Sequence, residues 1–453
     1  MTTDESPELG EQTIKRRTNP RPHHVHEATA VHSHGSLRLQ AGSARVTRNL
    51  TIAVGLCLLA TLAAGWHLRP KGSMPKAPGV TPGTVFVYGQ VMTVDPVNCP
   101  SQYDATVDCS TARIRVTNGP TAGDIAVLQN TAGIPGSPVV HEGDKIRMAY
   151  FAKAPPAQRY TFDDFERGSP LLLLVIVFAV AVILLSWMQG VRALIGMGLS
   201  LVVVVTFLLP GLLRGGSPLP LALVTAIAVA FAALYLAHGV HVGTHVAFAG
   251  SVLALGLTAA LGAAFIAACH FTGYTDENVN SLVIANAHLD VRGLILAGLV
   301  VGALGVLDDM TVTQVSAVGE VQRANPSLST FDLYRAGLRI GRDHVASTVN
   351  TLILAYVGAS LPLLLLVSQG GRSLGGVLTS EVVAVEMLRA VVGSIGLVAA
   401  VPITTGLAAW VVHRPMSERD EGEDDEPDDS DEEPDHDDPW SSFGPDDEFW
   451  DRR

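Results

Sequence analysis

Long apolar runs dominate the second half of this 453-residue chain and predict membrane-spanning helices. Between residues 170 and 411, Leu, Val, Ala, Ile and Gly form stretches that carry almost no charge. About 20 helical residues cross a hydrocarbon layer about 30 Å thick, and a helix satisfies its own backbone hydrogen bonds there. The pattern predicts an all-α polytopic membrane helix bundle of about eight spans, at residues 50–66, 170–188, 191–213, 219–237, 244–268, 292–310, 345–368 and 383–411.

A different pattern in residues 69–168, between the first two spans, predicts a small β domain. β-forming residues alternate or cluster there between Gly, Pro and Asp turn signals. Four or five short strands favour a small barrel, and a fold resembling the oligonucleotide-binding barrel is our expectation. The β-forming segments are residues 84–93, 112–117, 124–128 and 145–151.

The positive charges predict the orientation of the chain. Lys and Arg concentrate before span one and between spans six and seven, and such residues favour the cytoplasmic side. With eight crossings, both termini lie in the cytoplasm and residues 69–168 lie outside it, and we expect the membrane to be the bacterial plasma membrane. The first span follows about 49 residues of leader without a convincing cleavage site, so we expect it to be a retained anchor.

Cysteine positions add one prediction about the outer domain. Cys99 and Cys109 lie ten residues apart in it, and oxidising conditions there favour a disulfide between them, the alternative being two unpaired thiols. Cys57 and Cys269 lie within or beside apolar spans, where cysteine usually acts as a small hydrophobic residue.

The two ends of the chain are polar and predict solvated, disordered segments. From Ser417 onward there are 19 acidic residues and three arginines, a net charge of −16 against −13 for the whole chain. Residues 1–47 contain five closely spaced histidines without a fixed coordination pattern, so we expect neither a selective metal site nor a fold there. The positive-inside rule explains the arginines, so nucleic-acid binding is not predicted.

Span six runs directly into two adjacent aspartates, Asp308 and Asp309, and the sequence stays semi-apolar beyond them. At 3.6 residues per turn, Asp309, Thr313, Ser316 and Glu320 fall on one helix face. Carboxylates within a membrane are costly, so they usually face a cavity, pair with a partner or bind an ion. The alternative is that the span ends at Leu307 and both aspartates lie in a hydrated cytoplasmic loop.

Span seven begins with a second polar patch, in which Asp343, Ser347 and Asn350 share a face. These side chains could line a path with the polar stripe of span six or simply hydrogen-bond helices together. The candidate pathway residues are Asp308, Asp309, Thr313, Gln314, Ser316, Glu320, Ser347 and Asn350.

A capping box at Ser329–Asp332 predicts a short helix between these two spans. Its basic side, formed by Arg335, Arg339 and Arg342, is expected to lie in the inner membrane interface. In span eight, Glu386 and Arg389 lie one turn apart, so their pairing would lower the cost of inserting both.

Two segments resemble the YibE/F-like family of bacterial membrane proteins. They are Leu307–Glu320 (LDDMTVTQVSAVGE) and Ile340–Ser360 (IGRDHVASTVNTLILAYVGAS), and the resemblance extends over about residues 80–411. It implies a multispan plasma-membrane protein and carries no biochemical activity with it.

Two functional hypotheses follow. The first is a transporter or channel that passes an ion or small solute along the polar residues of spans six and seven. The second is a non-catalytic scaffold that binds a protein partner, or a second copy of itself, through the outer domain or the acidic tail. Since neither a G-x-x-x-x-G-K-[ST] phosphate loop nor an H-E-x-x-H motif occurs, we predict no enzyme, metal site or cofactor.

Overall fold

The computed structural model describes residues 39, 42–70, 72, 84–98, 108–130, 138–274, 277–285, 288–368 and 373–412. The predicted leader and acidic tail lie almost entirely outside these residues. Cys99 and the side chain of Cys109 also lie outside them, so the expected disulfide stays a prediction.

The helices are α1 Ala44–Leu68, α2 Gly168–Val203, α3 Leu209–Leu213, α4 Pro218–His238, α5 Val242–Ala268, α6 Glu277–Ala285, α7 Val291–Ala324, α8 Thr330–Ala359, α9 Leu361–Ser368, α10 Leu374–Leu378 and α11 Glu381–Val412. The strands are β1 Thr84–Asn98, β2 Asp108–Val116, β3 Ile125–Asn130, β4 Lys145–Phe151 and β5 Tyr160–Phe165.

Six helical segments among the described residues are long and apolar enough to cross a membrane. They are α1, α4, α5, α7, α11 and the segment Gly168–Leu213, in which a π-helical turn joins α2 to α3. The predicted membrane bundle is therefore present, but the count of eight spans is not confirmed. The second and third predicted spans fall in one helical segment, and the seventh falls on α8 and α9, which are not among the six.

The segment Gly168–Leu213 is sharply bent at Trp187. Trp187 has φ 48° and ψ −131°, a backbone conformation that no α-helix contains. A Cβ added to Gly190 would lie 2.6 Å from the carbonyl oxygen of Val182, eight residues earlier. Since eight residues of straight helix span about 12 Å, the chain turns back on itself here and only glycine fits at position 190.

The centre of the bundle is built from α5, α7 and α11, with α4 and α8 packed around them. Two glycine–threonine pairs lock α5 to α11. Gly250 of α5 faces Thr404 of α11, and Thr258 of α5 faces Gly396 of α11. Because each threonine occupies the space that a glycine leaves free, the two backbones approach closely. The later residue of α5 faces the earlier residue of α11, so the two helices are antiparallel.

The β domain is a five-stranded antiparallel sheet in the order β3-β2-β1-β4-β5. The fifteen-residue β1 pairs with both β2 and β4, and alternate residues bury Val87, Ile114, Ile146 and Met148 in one core. The predicted barrel is not confirmed, because the sheet is open. The edge strands β3 and β5 approach each other, but no hydrogen-bonded ladder joins them within the described strands.

Candidate functional site

Asp308 lies where α7 packs against α5, inside a continuous helix. Because α7 is helical as far as Ala324, neither Asp308 nor Asp309 lies in a loop. The nearest polar neighbour on α5 is Ser251, which is 1% exposed. Ser251 is nine residues along α5, so this contact lies about 13 Å from the start of that helix.

Three oxygen-bearing groups form a small network here, which we call the Asp308 cluster: Asp308, Ser251 and Thr311. The hydroxyl oxygens of Ser251 and Thr311 are 2.8 Å apart, and the Thr311 hydroxyl also donates to the backbone oxygen of Asp308 at 3.0 Å. Ser251 is in addition close enough to hydrogen-bond the Asp308 carboxylate.

The Asp308 cluster contains fewer hydroxyl hydrogens than hydrogen-bond contacts. Each hydroxyl has one hydrogen to donate, so Ser251 and Thr311 together can serve two of these three contacts. The Oδ1 atom of Asp308 is buried and has no hydrogen-bond partner among the described residues. At least one oxygen of this half-buried carboxylate is therefore shielded from water and lacks a donor among the described residues.

The eight predicted pathway residues do not share one surface. Gln314 is 1% exposed and points toward α8, where its amide donates to the backbone oxygen of Gly337 at 2.6 Å. Asp308 and Thr313 are half-buried. The exposed members are Asp309, Ser316 and Glu320 on α7 and Ser347 and Asn350 on α8.

The exposed polar residues of α7 continue a row of glycines. Gly298, Gly302 and Gly305 are exposed and lie on the same face as Asp309. At one end of this row, a Cβ on Gly302 would lie 3.3 Å from the Tyr356 hydroxyl of α8, and one on Gly298 would lie 3.7 Å from Arg389 of α11. The glycine face therefore borders a second polar cluster, formed by Tyr356, Glu386 and Arg389.

The predicted basic helix is part of α8 rather than a separate element. Ser329 caps it as expected, accepting a hydrogen bond from the backbone of Asp332 at 3.2 Å. The helix then continues without a break through Arg335, Arg339 and Arg342 into the predicted seventh span. All three arginines are exposed. An uninterrupted helix of 30 residues extends about 45 Å. Its first half, which carries the three arginines, and its apolar second half therefore lie along the same helix axis.

Sequence reasoning missed Ser251, Thr311 and Tyr356 as members of polar clusters. Ser251 and Tyr356 are single polar side chains within apolar runs, and such residues often only bond the preceding turn of their own helix. Their importance depends on contacts between helices far apart in sequence. Ser251 directly follows Gly250, which packs closely against α11, and that neighbouring glycine is the one local signal of a buried helix contact.

His245, near the start of α5, contacts α4. His245 lies 2.5 Å from the Tyr235 hydroxyl of α4 through its Nδ1 atom. No cluster of three or more His, Cys, Asp or Glu side chains positioned to hold a metal occurs in the described part of the chain.

Comparison with known proteins gives one match. A family model described as YibE/F-like protein matches residues 174–414, which is more than half of the chain. The match begins after the β domain, so the resemblance seen in the sequence from about residue 80 is supported only over the membrane bundle. No curated protein and no solved structure matches the chain. With apolar helices of membrane-spanning length and this family match, the chain is an integral membrane protein that belongs to the YibE/F-like family.

Proposed function

We propose that this protein is a transporter for an ion or small solute, in which Asp308 binds the cation that travels or drives transport. The buried Oδ1 atom of Asp308, which has no hydrogen-bond partner among the described residues of the helix bundle, carries this proposal. Placing an ionised carboxylate at the centre of a membrane costs at least about 2.5 kcal/mol. A proton or a bound cation removes that cost by supplying the missing partner.

The donor set indicates the class of cation. The Asp308 cluster offers one carboxylate and the hydroxyls of Ser251 and Thr311, all of them oxygen donors. Hard cations prefer oxygen donors, whereas transition metals favour imidazole and thiolate. One negative charge suits one positive charge, so the occupant we propose is a proton or a monovalent metal ion.

The proposal includes a topology of eight crossings with both termini in the cytoplasm. The segment Gly168–Leu213 has 46 residues and would extend about 69 Å if straight, roughly twice the hydrocarbon thickness; its most apolar window of 18 residues has a mean hydropathy of 3.1. The bend at Trp187 divides them into two stretches that are each long enough to cross. A further crossing by the apolar end of α8 together with α9 gives the eighth.

Flux measurements in liposomes that contain the purified protein test this proposal. Proton movement is followed with a trapped pH-sensitive dye, and Na⁺ or Rb⁺ movement with a radioactive tracer. We expect Asp308→Asn to abolish the flux that the wild-type protein shows and Ser251→Ala to reduce it. Asp95→Asn, the same chemical change on β1 of the outer domain, should leave it intact.

The outcomes separate the two functional hypotheses. If the Asp308→Asn variant inserts correctly into the liposomes and still shows the flux of the wild-type protein, Asp308 does not have the proposed role. If the wild-type protein moves none of these ions, and a stoichiometric partner co-purifies with it only while residues 69–168 are present, the scaffold hypothesis replaces the transporter. Asp309→Asn shows whether the exposed face of α7 also belongs to the path.

A further inference from the structure

A second charged cluster lies among α7, α8 and α11, apart from the Asp308 cluster. Arg389 donates through Nη1 to the Glu386 carboxylate, one turn earlier on α11. Both side chains are only partly accessible, 29% for Arg389 and 27% for Glu386. Arg389 is eight residues from the start of α11, so the pair lies about 12 Å along that helix.

One edge of the Arg389 guanidinium has no partner. Nε is buried without a hydrogen bond, and Nη2 donates to no group within the described residues. Nε and Nη2 point in parallel from the planar guanidinium, and such a pair of donors matches the two oxygens of a carboxylate or phosphate. Glu386 cannot fill this edge, because it is held on Nη1.

Two glycines of α7 lie beside that edge. Gly298 lies beneath Nη2, where even an added Cβ would remain 3.7 Å away. The hydroxyl of Tyr356 lies over Gly302, with an added Cβ 3.3 Å away. Larger residues at either glycine would occupy the space between α7 and the two polar side chains. Tyr356 is also close enough to Arg389 for an electrostatic interaction, so its hydroxyl can supply one more donor to a ligand held by Arg389.

We propose that Arg389 and Tyr356 form a binding site for the carboxylate of a small organic anion. The Nε–Nη2 edge binds both carboxylate oxygens, the Tyr356 hydroxyl donates to one of them, and the glycines of α7 make contact with the rest of the molecule. A lipid phosphate offers similar oxygens, but a site about 12 Å inward along the helix favours a solute over a headgroup.

This proposal rests on Arg389 and stands apart from the transporter proposal. The two clusters nevertheless border the same helix, since Asp308 is part of α7 and Arg389 lies near Gly298 of α7. Gly298 and Asp308 are ten residues apart on α7, which is about 15 Å. An anion site and a cation site at that separation would suit a protein that moves a carboxylate together with a cation.

Ligand binding to the full-length protein, purified in detergent, tests the site. Sodium acetate and sodium benzoate are titrated while the unfolding temperature is followed, with sodium chloride as the ionic-strength control. We expect a saturable rise with the carboxylates and none with chloride. Arg389→Lys keeps the charge but loses the paired donors, so the carboxylate affinity should fall about tenfold or more. Tyr356→Phe removes one hydrogen bond to the charged carboxylate and should weaken binding by about tenfold.

Glu386→Gln gives the sharpest result because it changes the affinity in the opposite direction. Glutamine can still accept a hydrogen bond from Nη1, but it removes the competing negative charge, so we expect carboxylates to bind more tightly. A merely structural ion pair would instead give a less stable protein with unchanged or weaker binding. Arg167→Lys, the same substitution next to the β domain, serves as the control and should leave binding unchanged.

Three results would overturn the proposal. The first is equal carboxylate affinity in the wild-type, Arg389→Lys and Glu386→Gln proteins. The second is a lower carboxylate affinity in the Glu386→Gln protein than in the wild-type protein. This result tests the site even if the Arg389→Lys protein does not fold. The third is stabilisation of the wild-type protein by vesicles of phosphatidylglycerol but not of phosphatidylcholine, with no effect of acetate or benzoate, because the edge would then hold a lipid phosphate.

Discussion

Replacing Gly396 by alanine tests the packing that holds α5 against α11. A Cβ at this position would lie 2.0 Å from the Oγ1 atom of Thr258. Carbon atoms pack at about 3.5 Å, so the hydroxyl or a whole helix would have to move by more than about 1 Å. The hydroxyl cannot simply turn away, because it donates to the backbone oxygen of Ala254 at 2.8 Å in a fully buried position.

The expected cost is that of adding a methyl group to a filled core. Overpacking of this kind destabilises proteins by about 1–3 kcal/mol, and the rigid backbones on both sides favour the upper half of that range. Thr258→Ala alone removes the hydroxyl and a methyl group and should cost about 1 kcal/mol. The double variant Gly396→Ala/Thr258→Ala places the new methyl group in the vacated space, so its cost should be smaller than the sum by about 2 kcal/mol.

Unfolding of the detergent-solubilised protein by increasing denaturant, followed by circular dichroism, measures these differences. Gly256→Ala on α5 is the matched control, since nothing lies within 4 Å of the added Cβ. We expect this control to be neutral or stabilising by up to about 1 kcal/mol, because alanine favours helix more than glycine does. If Gly396→Ala is as stable as this control, or if the two changes are simply additive, the close contact between α5 and α11 is refuted.

Two further predictions concern other parts of the chain. Gln314→Leu removes the hydrogen bond from the side-chain amide to the backbone oxygen of Gly337, which keeps its helical partner within α8, and should lower the free energy of unfolding by about 1 kcal/mol; an unchanged value would contradict the contact between α7 and α8. After β5, the hydrogen bond from Arg167 lowers the pKa of Asp164, so the pair stabilises the folded protein above the ordinary carboxyl pKa and loses this effect as the pH falls through the lowered value. Arg167→Gln should therefore raise the pKa of Asp164 toward its ordinary value in a carboxyl-detected NMR titration, and an unshifted pKa would contradict the pairing.

The membrane bundle was predictable from the sequence because the bilayer imposes a length on every apolar run. The starts and ends of α4, α5 and α11 lie within a few residues of the predicted spans for this reason. The sheet of the β domain was predictable from alternating residues between turn signals, but its openness was not. Whether a sheet closes depends on how its edge strands meet, and no local pattern in β3 or β5 carries that information.

The candidate site was only partly predictable. Asp308 stands out because a carboxylate after an apolar run is costly in lipid. Its partner Ser251 is 57 residues earlier in the chain, so only the packing of α5 on α7 brings the two together. Likewise, the sequence suggested the pair of Glu386 and Arg389, while the free edge of the guanidinium became visible only once its neighbours on α7 and α8 were in place.

The central claim, that Asp308 is a cation-binding carboxylate shielded within the bundle, is tested most directly by carbodiimide labelling of the protein in liposomes. An apolar carbodiimide enters lipid and modifies carboxyl groups there, a water-soluble one modifies those in water, and peptide mass spectrometry locates each product. We predict that Asp308 reacts with the apolar reagent only, and that the transported cation slows this reaction without affecting the labelling of Asp164, which is partly exposed on β5. Rapid labelling of Asp308 by the water-soluble reagent, at a rate that no cation changes, would contradict the claim.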